Sequence, residues 1–246
     1  MSKIEIEEIC YDIGVLSLHG LACGDDESEI VLCLHGWLDN AASFTPLMPY
    51  LSNKRIIAID WPGHGFSSHR SQDAHYHFID WVYDLLQLFE LNNWHNIDIV
   101  AHSMGGMIAS AFAAAFPERV KSLTLLDSIG FISAEADKTT AQLRQGMISR
   151  LKSSANYLQN KNLHPTSDSA IKARVTVSDM NYEQAKVIVK RGLVKEANGY
   201  KWRADSRLRS VSPYRLTLSQ AEQFIHDIKC PVQLVHGTKG HDMVAS

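Results

Sequence analysis

At 246 residues with 45% hydrophobic side chains, the chain can bury the core of one large domain. A net charge of −3 and a pI near 6.4 leave no basic field for nucleic acid or an anionic membrane surface, so neither is expected as a partner. No apolar run reaches the roughly 20 residues that cross a bilayer. The acidic, alternating start, Lys3-Ile4-Glu5-Ile6-Glu7-Glu8, lacks the features of a secretory signal. Cys10, Cys23, Cys33 and Cys230 form no C-x-x-C pair. They read as buried free thiols of a cytoplasmic protein, with no metal site and no cofactor implied.

Taken in order, 4–10 and 14–23 predict two early strands in a hairpin that turns at Tyr11-Asp12-Ile13. Ile30-Val31-Leu32-Cys33-Leu34 is a continuous apolar run, the mark of a central parallel strand buried on both faces. His35-Gly36-Trp37-Leu38-Asp39-Asn40 follows, then a helix over 43–51 with Ser43 as its cap. A second buried strand over 55–60 runs into the turn-rich Asp60-Trp61-Pro62-Gly63-His64-Gly65-Phe66-Ser67. A helix over 74–91 places Phe78, Trp81, Val82, Leu85, Leu86 and Phe89 on one stripe that belongs to the core.

The next stretch carries the chemistry. Ile97-Asp98-Ile99-Val100 reads as a short buried strand, and 107–116 as a helix stopped by Pro117. Between them lies Ala101-His102-Ser103-Met104-Gly105-Gly106, which holds a serine on a one-residue bend. Ala101 and Gly105, two positions either side, are small enough to let strand and helix approach closely. That is the geometry of a nucleophile elbow, with alanine where the first glycine is usual.

Leu123-Thr124-Leu125-Leu126-Asp127 is a further buried strand. From 133 to 211 the pattern is helical only, with helices over 140–151, 169–175 and 182–191 and a short extended piece over 199–203. A helix over 218–228 and a strand over 230–237 then resume the earlier rhythm. Strand and helix alternating at short spacing mean an α/β fold, a mostly parallel sheet with helices on both faces. The core is expected over 1–132 and 212–246, with 133–211 as an inserted helical cap.

Four stations in order together resemble the α/β-hydrolase fold: His35-Gly36-Trp37, the loop from Asp60 to Ser67, the Ser103 elbow, and the strand over 230–237. The stretch His35-Gly36-Trp37-Leu38-Asp39-Asn40 is further similar to serine hydrolase-like proteins, whose near relatives include haloalkane dehalogenases and epoxide hydrolases. Those relatives carry aspartate at the elbow, so serine here argues for ester-type chemistry. A serine hydroxyl needs a base, an orienter for that base, and donors for the oxyanion. The resemblance implies Ser103 as nucleophile and the backbone N–H groups of Trp37 and Met104 as donors. It implies an acid either at the end of the strand after the elbow helix, where Asp127 stands, or near the end of the last strand, where Gly240 occupies the usual place and Asp242 lies two residues late.

In such proteins His35 braces the oxyanion loop; His64 lies in a tight turn, and His102 points away from its neighbour Ser103. Asp39 and Asn40 either line the pocket mouth or stiffen the loop. The base is expected after one more strand, and His241 is a poor substitute. The expectation is therefore a chain that lacks the final strand, histidine and helix and is nearly inactive as it stands. The function expected of the whole protein is a serine hydrolase acting on a small-molecule carboxylic ester or thioester with an apolar group. Tyr157, Leu163, Met180 and Trp202 are the expected cap lining. The alternative is a catalytically dead hydrolase used for ligand binding or as a scaffold; peroxide or carbon–carbon chemistry at the same serine is not separable by sequence.

Overall fold

Period-two alternation along short apolar strands builds the centre of the molecule. The computed structural model describes residues 4–128, 130–159 and 163–238, the side chains of 155–159 excepted. In chain order it contains β1 (Glu7–Asp12), β2 (Ser17–Cys23), β3 (Ile30–Leu34), β4 (Arg55–Ile59), α1 (Phe78–Leu91), β5 (Ile97–His102), α2 (Met104–Ala115) and β6 (Val120–Leu126). There follow α3 (Thr139–Gln159), α4 (Ser167–Thr176), α5 (Tyr182–Gly192), β7 (Leu193–Glu196), β8 (Gly199–Trp202), α6 (Leu218–Asp227) and β9 (Val232–Val235). One sheet runs β1-β2-β4-β3-β5-β6-β9, parallel from β4 to β9 with the β1-β2 hairpin antiparallel at one edge.

Leu32, Leu34, Ile57, Ile59, Ile99, Ala101, Leu123 and Leu125 form one face and pack with Trp81, Leu85, Leu88 and Phe89 of α1 and Ile108 and Phe112 of α2. The alternate residues Val31, Cys33, Ile56 and Ala58 face the other way, onto Ala41, Ala42, Phe44 and Met48. Long helices therefore cover the first face, whereas short turns and Val187 of α5 cover the second.

The expected helix over 43–51 is instead two 3₁₀ turns, Ala41–Phe44 and Met48–Tyr50. Pro46 and Pro49 have no N–H to donate and interrupt any i→i−4 ladder. The cap is Asn40, whose side chain accepts from Ala42 N at 3.1 Å, while the hydroxyl of Ser43 is buried without a partner among the described residues. Helix α1 starts at Phe78 and not at 74, because the carbonyls of Arg70, Ser71 and Ala74 accept from the Arg207 guanidinium. The β1-β2 turn lies at 13–16, where Gly14 adopts φ +88° and Ile13 N donates to Leu16 O at 2.8 Å. Between β6 and α6 the chain leaves the sheet for α3, α4 and α5 and for a β7-β8 ribbon, of which the sequence showed only the second strand. Cys23 and Cys33 are buried, but Cys10 is exposed because β1 is a sheet edge. Among the described residues no helix is long and apolar enough to cross a membrane.

Candidate active site

The sheet brings the C-terminal ends of β3, β5 and β6 side by side, and the expected site residues sit there. Ser103 joins β5 to α2 at φ +49°, ψ −118°, a strained backbone for any residue but glycine. Its surroundings impose that shape. A Cβ on Gly105 would lie 2.3 Å from Leu34 O, and one on Gly106 would lie 2.4 Å from the Ser128 hydroxyl. Ala101 is fully buried beneath the bend. Ser103 N donates to Leu126 O at 3.2 Å, and Ser128 Oγ donates to Ser103 O at 2.8 Å, so the bend is tied to the end of β6. Strain of this kind persists only where neighbours over-determine it, as they do here. No described residue hydrogen-bonds the Ser103 hydroxyl.

The loop after β3 is braced from below. His35 accepts from Trp61 N at its Nε2 (3.0 Å), so its Nδ1 carries the proton and donates to Gly36 O (2.7 Å). His64 accepts from Leu38 N at Nε2 (3.1 Å) and donates from Nδ1 to Pro62 O (3.3 Å). Burial pushes both imidazoles down to about 3, so both rings are neutral and fully engaged; neither is a base for Ser103. Leu38 takes φ +61° to complete the turn. A Cβ on Gly36 would come within 2.9 Å of His102 Nδ1 and 3.2 Å of Ser103 Cβ, which shows how closely this loop lies on the elbow. The backbone N–H groups of Trp37, in the loop, and Met104, at the positive end of α2, have no acceptor among the described residues.

Asp127 ends β6 at φ +48°, and its N–H donates to Val235 O at 2.7 Å. It directly follows Leu126, the acceptor for Ser103 N, so Ser103 and Asp127 stand across adjacent strand ends. Its Oδ1 is buried with no partner among the described residues, a costly condition for a carboxylate oxygen. Gly240, His241 and Asp242 lie outside the described residues, as does the side chain of Tyr157.

Asp39 and Asn40 are occupied as ties. Asp39 Oδ1 accepts from Arg174 Nη2 of α4 at 2.6 Å, and Asn40 Nδ2 donates to Ile188 O of α5 at 2.8 Å. His102 is half-buried, its Nδ1 3.9 Å from Asp39 Oδ2. Beside the elbow is a cavity of about 490 Å³ walled chiefly by Met104 and Met107 of α2, Phe78 and Trp81 of α1, Phe131, Ile132 and Phe224. Three of the expected lining residues are elsewhere. Met180 and Trp202 pack on Ala170, Ile171 and Ala185 inside the α4-α5 region, and Leu163 lies against Gly199. Trp202 serves the insertion's own small core, as an aromatic ring in such a segment does as readily as it meets a ligand.

The model of the alpha/beta hydrolase fold family matches residues 29–243. The chain belongs to the α/β-hydrolase fold family. It is 32% identical over 226 residues to a serine hydrolase-like protein of Danio rerio, covering 91% of this chain and 69% of that protein. A serine hydrolase-like protein of Dictyostelium discoideum is 31% identical over 255 residues, covering 94% of this chain and 67% of the relative. The crystal structure of a hypothetical protein from Pseudomonas aeruginosa PAO1 superposes with a TM-score of 0.88 at 35% identity, covering 95% of this chain and 82% of that one.

For several residues that hold this α/β-hydrolase's site together, the sequence did not show the role that the structure gives them. Asp60 is fully buried; it accepts from Ala41 N (2.7 Å), Phe66 N (2.9 Å) and Arg191 Nε (2.9 Å). Gly65 is needed because a Cβ there would lie 2.2 Å from that carboxylate. Arg174 and Arg191 sit in polar helical stretches where an arginine normally reads as solvated, and only tertiary contact shows otherwise. Met107 and Phe131 form cavity walls, a role that the sequence reading did not give them.

Proposed function

We propose that this α/β-hydrolase is a serine hydrolase of small-molecule carboxylic esters or thioesters, working through an acyl-enzyme on Ser103. The observation that carries the reading is the strained Ser103 bend with two acceptor-free amides beside it. In the proposed mechanism Ser103 Oγ attacks the carbonyl carbon, and the developing oxyanion receives hydrogen bonds from the N–H groups of Met104 and Trp37. Each such donor is worth about 3 kcal/mol in the transition state. Collapse expels the alcohol or thiol and leaves the acyl group on Ser103, which water then removes. Asp127 orients the imidazole that takes the Ser103 proton; its unpartnered buried oxygen supports the assignment. His35 and His64 are engaged at both ring nitrogens and His102 lies beside Asp39, so this reading takes the base from outside the described residues. The apolar cavity beside Met104 takes the acyl group, its volume within the range of about 300–1,000 Å³ usual for ligand sites. Residues 133–211 act as the cap.

The test is hydrolysis of p-nitrophenyl esters from acetate to decanoate by the full-length gene product. Expected are turnover that rises with chain length and its loss in Ser103→Ala. Turnover unchanged in Ser103→Ala overturns the proposal. A second reading, a ligand-binding protein with no turnover, is favoured by the Ser103 hydroxyl having no hydrogen-bond partner among the described residues. Saturable binding of the same esters with no release of p-nitrophenol, in the full-length gene product, would establish it.

A further inference from the structure

The oxyanion loop does not hold itself in place on the insertion side. Three consecutive contacts, one from each of Trp37, Asp39 and Asn40, join a four-residue stretch to the segment between β6 and α6. Trp37 Nε1 donates to Leu208 O at 3.1 Å, Asp39 Oδ1 accepts from Arg174 Nη2 at 2.6 Å, and Asn40 Nδ2 donates to Ile188 O at 2.8 Å. Two of these use backbone carbonyls. The third is an ion pair in which Asp39 is 5% exposed and Arg174 18% exposed, so solvent screens it little. Its geometry leads towards the chemistry. Asp39 N donates to Gly36 O at 3.2 Å and closes the turn whose first inner residue is Trp37, and Asp39 Oδ2 lies 3.9 Å from the ring of His102, the residue before Ser103. Leu38, inside that turn, is held at φ +61°, a conformation that leucine leaves readily once its neighbours stop enforcing it.

We infer that Arg174 is a positioning residue: through Asp39 it holds the turn that aims the Trp37 N–H at the oxyanion. The inference rests on the proposed hydrolase reading and adds that the insertion takes part in building the oxyanion site as well as covering it. A donor misplaced by a fraction of an ångström loses most of its transition-state value while ground-state binding is little changed. Removing the pair therefore lowers kcat and leaves KM nearly alone.

The test uses the full-length gene product and four variants. Arg174→Met and Asp39→Asn should each lower kcat roughly 10- to 100-fold, with KM changed less than about threefold, short of the 10²–10³ that goes with complete loss of a donor. Arg174→Lys should recover part of the rate. Arg174→Met also strands a buried carboxylate and can destabilise the fold, so the double variant Asp39→Asn/Arg174→Met is decisive. It carries no unpaired charge and should regain the parent melting temperature, yet keep the low kcat. A double variant with the parent's kcat overturns the inference, as does a loss confined to KM. Should Ser103→Ala also retain turnover, it is the hydrolase reading that fails; should Ser103→Ala be dead while Arg174→Met runs at the parent rate, only the positioning role fails.

Discussion

The two sides of the strand-end crevice are built differently. On the side of β3 and β5, almost every polar group has a partner. His35 and His64 use both ring nitrogens, Asp60 collects two amides and a guanidinium, and the Ser103 bend is fixed by Leu126, Ser128 and the close approach of Gly105 to β3. On the side of β6 and β9, Asp127 has a buried oxygen with no described partner, and all four residues of β9 are exposed. Saturation, completed by the ties to the insertion and to the end of β6, makes the first side rigid, which a nucleophile and its oxyanion donors require. The second side presents a carboxylate oxygen that is buried without a partner among the described residues, which fits the role proposed for Asp127.

The largest effect expected from breaking this contrast is at Asp127. In the full-length gene product, Asp127→Asn should cut turnover on the order of 10⁴-fold, because the imidazole loses its correct tautomer and orientation. The melting temperature should stay close to the parent's, since asparagine keeps the shape of the side chain and the bond from the backbone N–H to Val235 O. If Asp242→Asn is the crippling change and Asp127→Asn is mild, the acid is Asp242. Rates at successive pH values for both variants make the measurement.

The braced side has its own signature, smaller and visible in stability. His35 and His64 are held neutral, at about 3, by burial. The unfolded chain takes protons on both rings near 6.5, so between 6.5 and 3 it binds more protons than the folded chain. Their contribution to stability is therefore full above about pH 6.5 and falls as the pH drops towards 3. By pH 5 the loss is about 2 kcal/mol per ring, a decrease of several degrees in Tm. Thermal melts at pH 7.5 and 5.0 should show it, and His64→Gln should roughly halve the slope. A Tm independent of pH across this range contradicts neutral, fully engaged imidazoles.

Much of the rigid side was legible in the sequence, for a physical reason. Strand, bend and helix around Ser103 are local features, set by the apolar run before it, the small residues flanking it and Pro117 after it. The same holds for the sheet, because continuous apolar runs such as 30–34 leave a strand no solvent-facing side. Where the reading went astray, tertiary contact overrode local pattern. Arg207 took the carbonyls that would have begun α1 four residues earlier, and prolines split the turn after Asn40. The ties from Asp39 and Asn40 to the insertion were not legible, since the partners lie 135 and 148 residues away. Nor does local pattern show the small core that Met180 and Trp202 share, since its members come from separate segments of the insertion.

Whether Ser103 is the activated nucleophile proposed above is read out most directly by active-site labelling. A fluorophosphonate probe reacts only with a serine that has both a base and an oxyanion site. Incubated with the full-length gene product, it should label one peptide, the one containing Ser103, and leave Ser103→Ala unlabelled. Equal labelling of parent and Ser103→Ala, or an adduct mapped to another serine, would contradict the account.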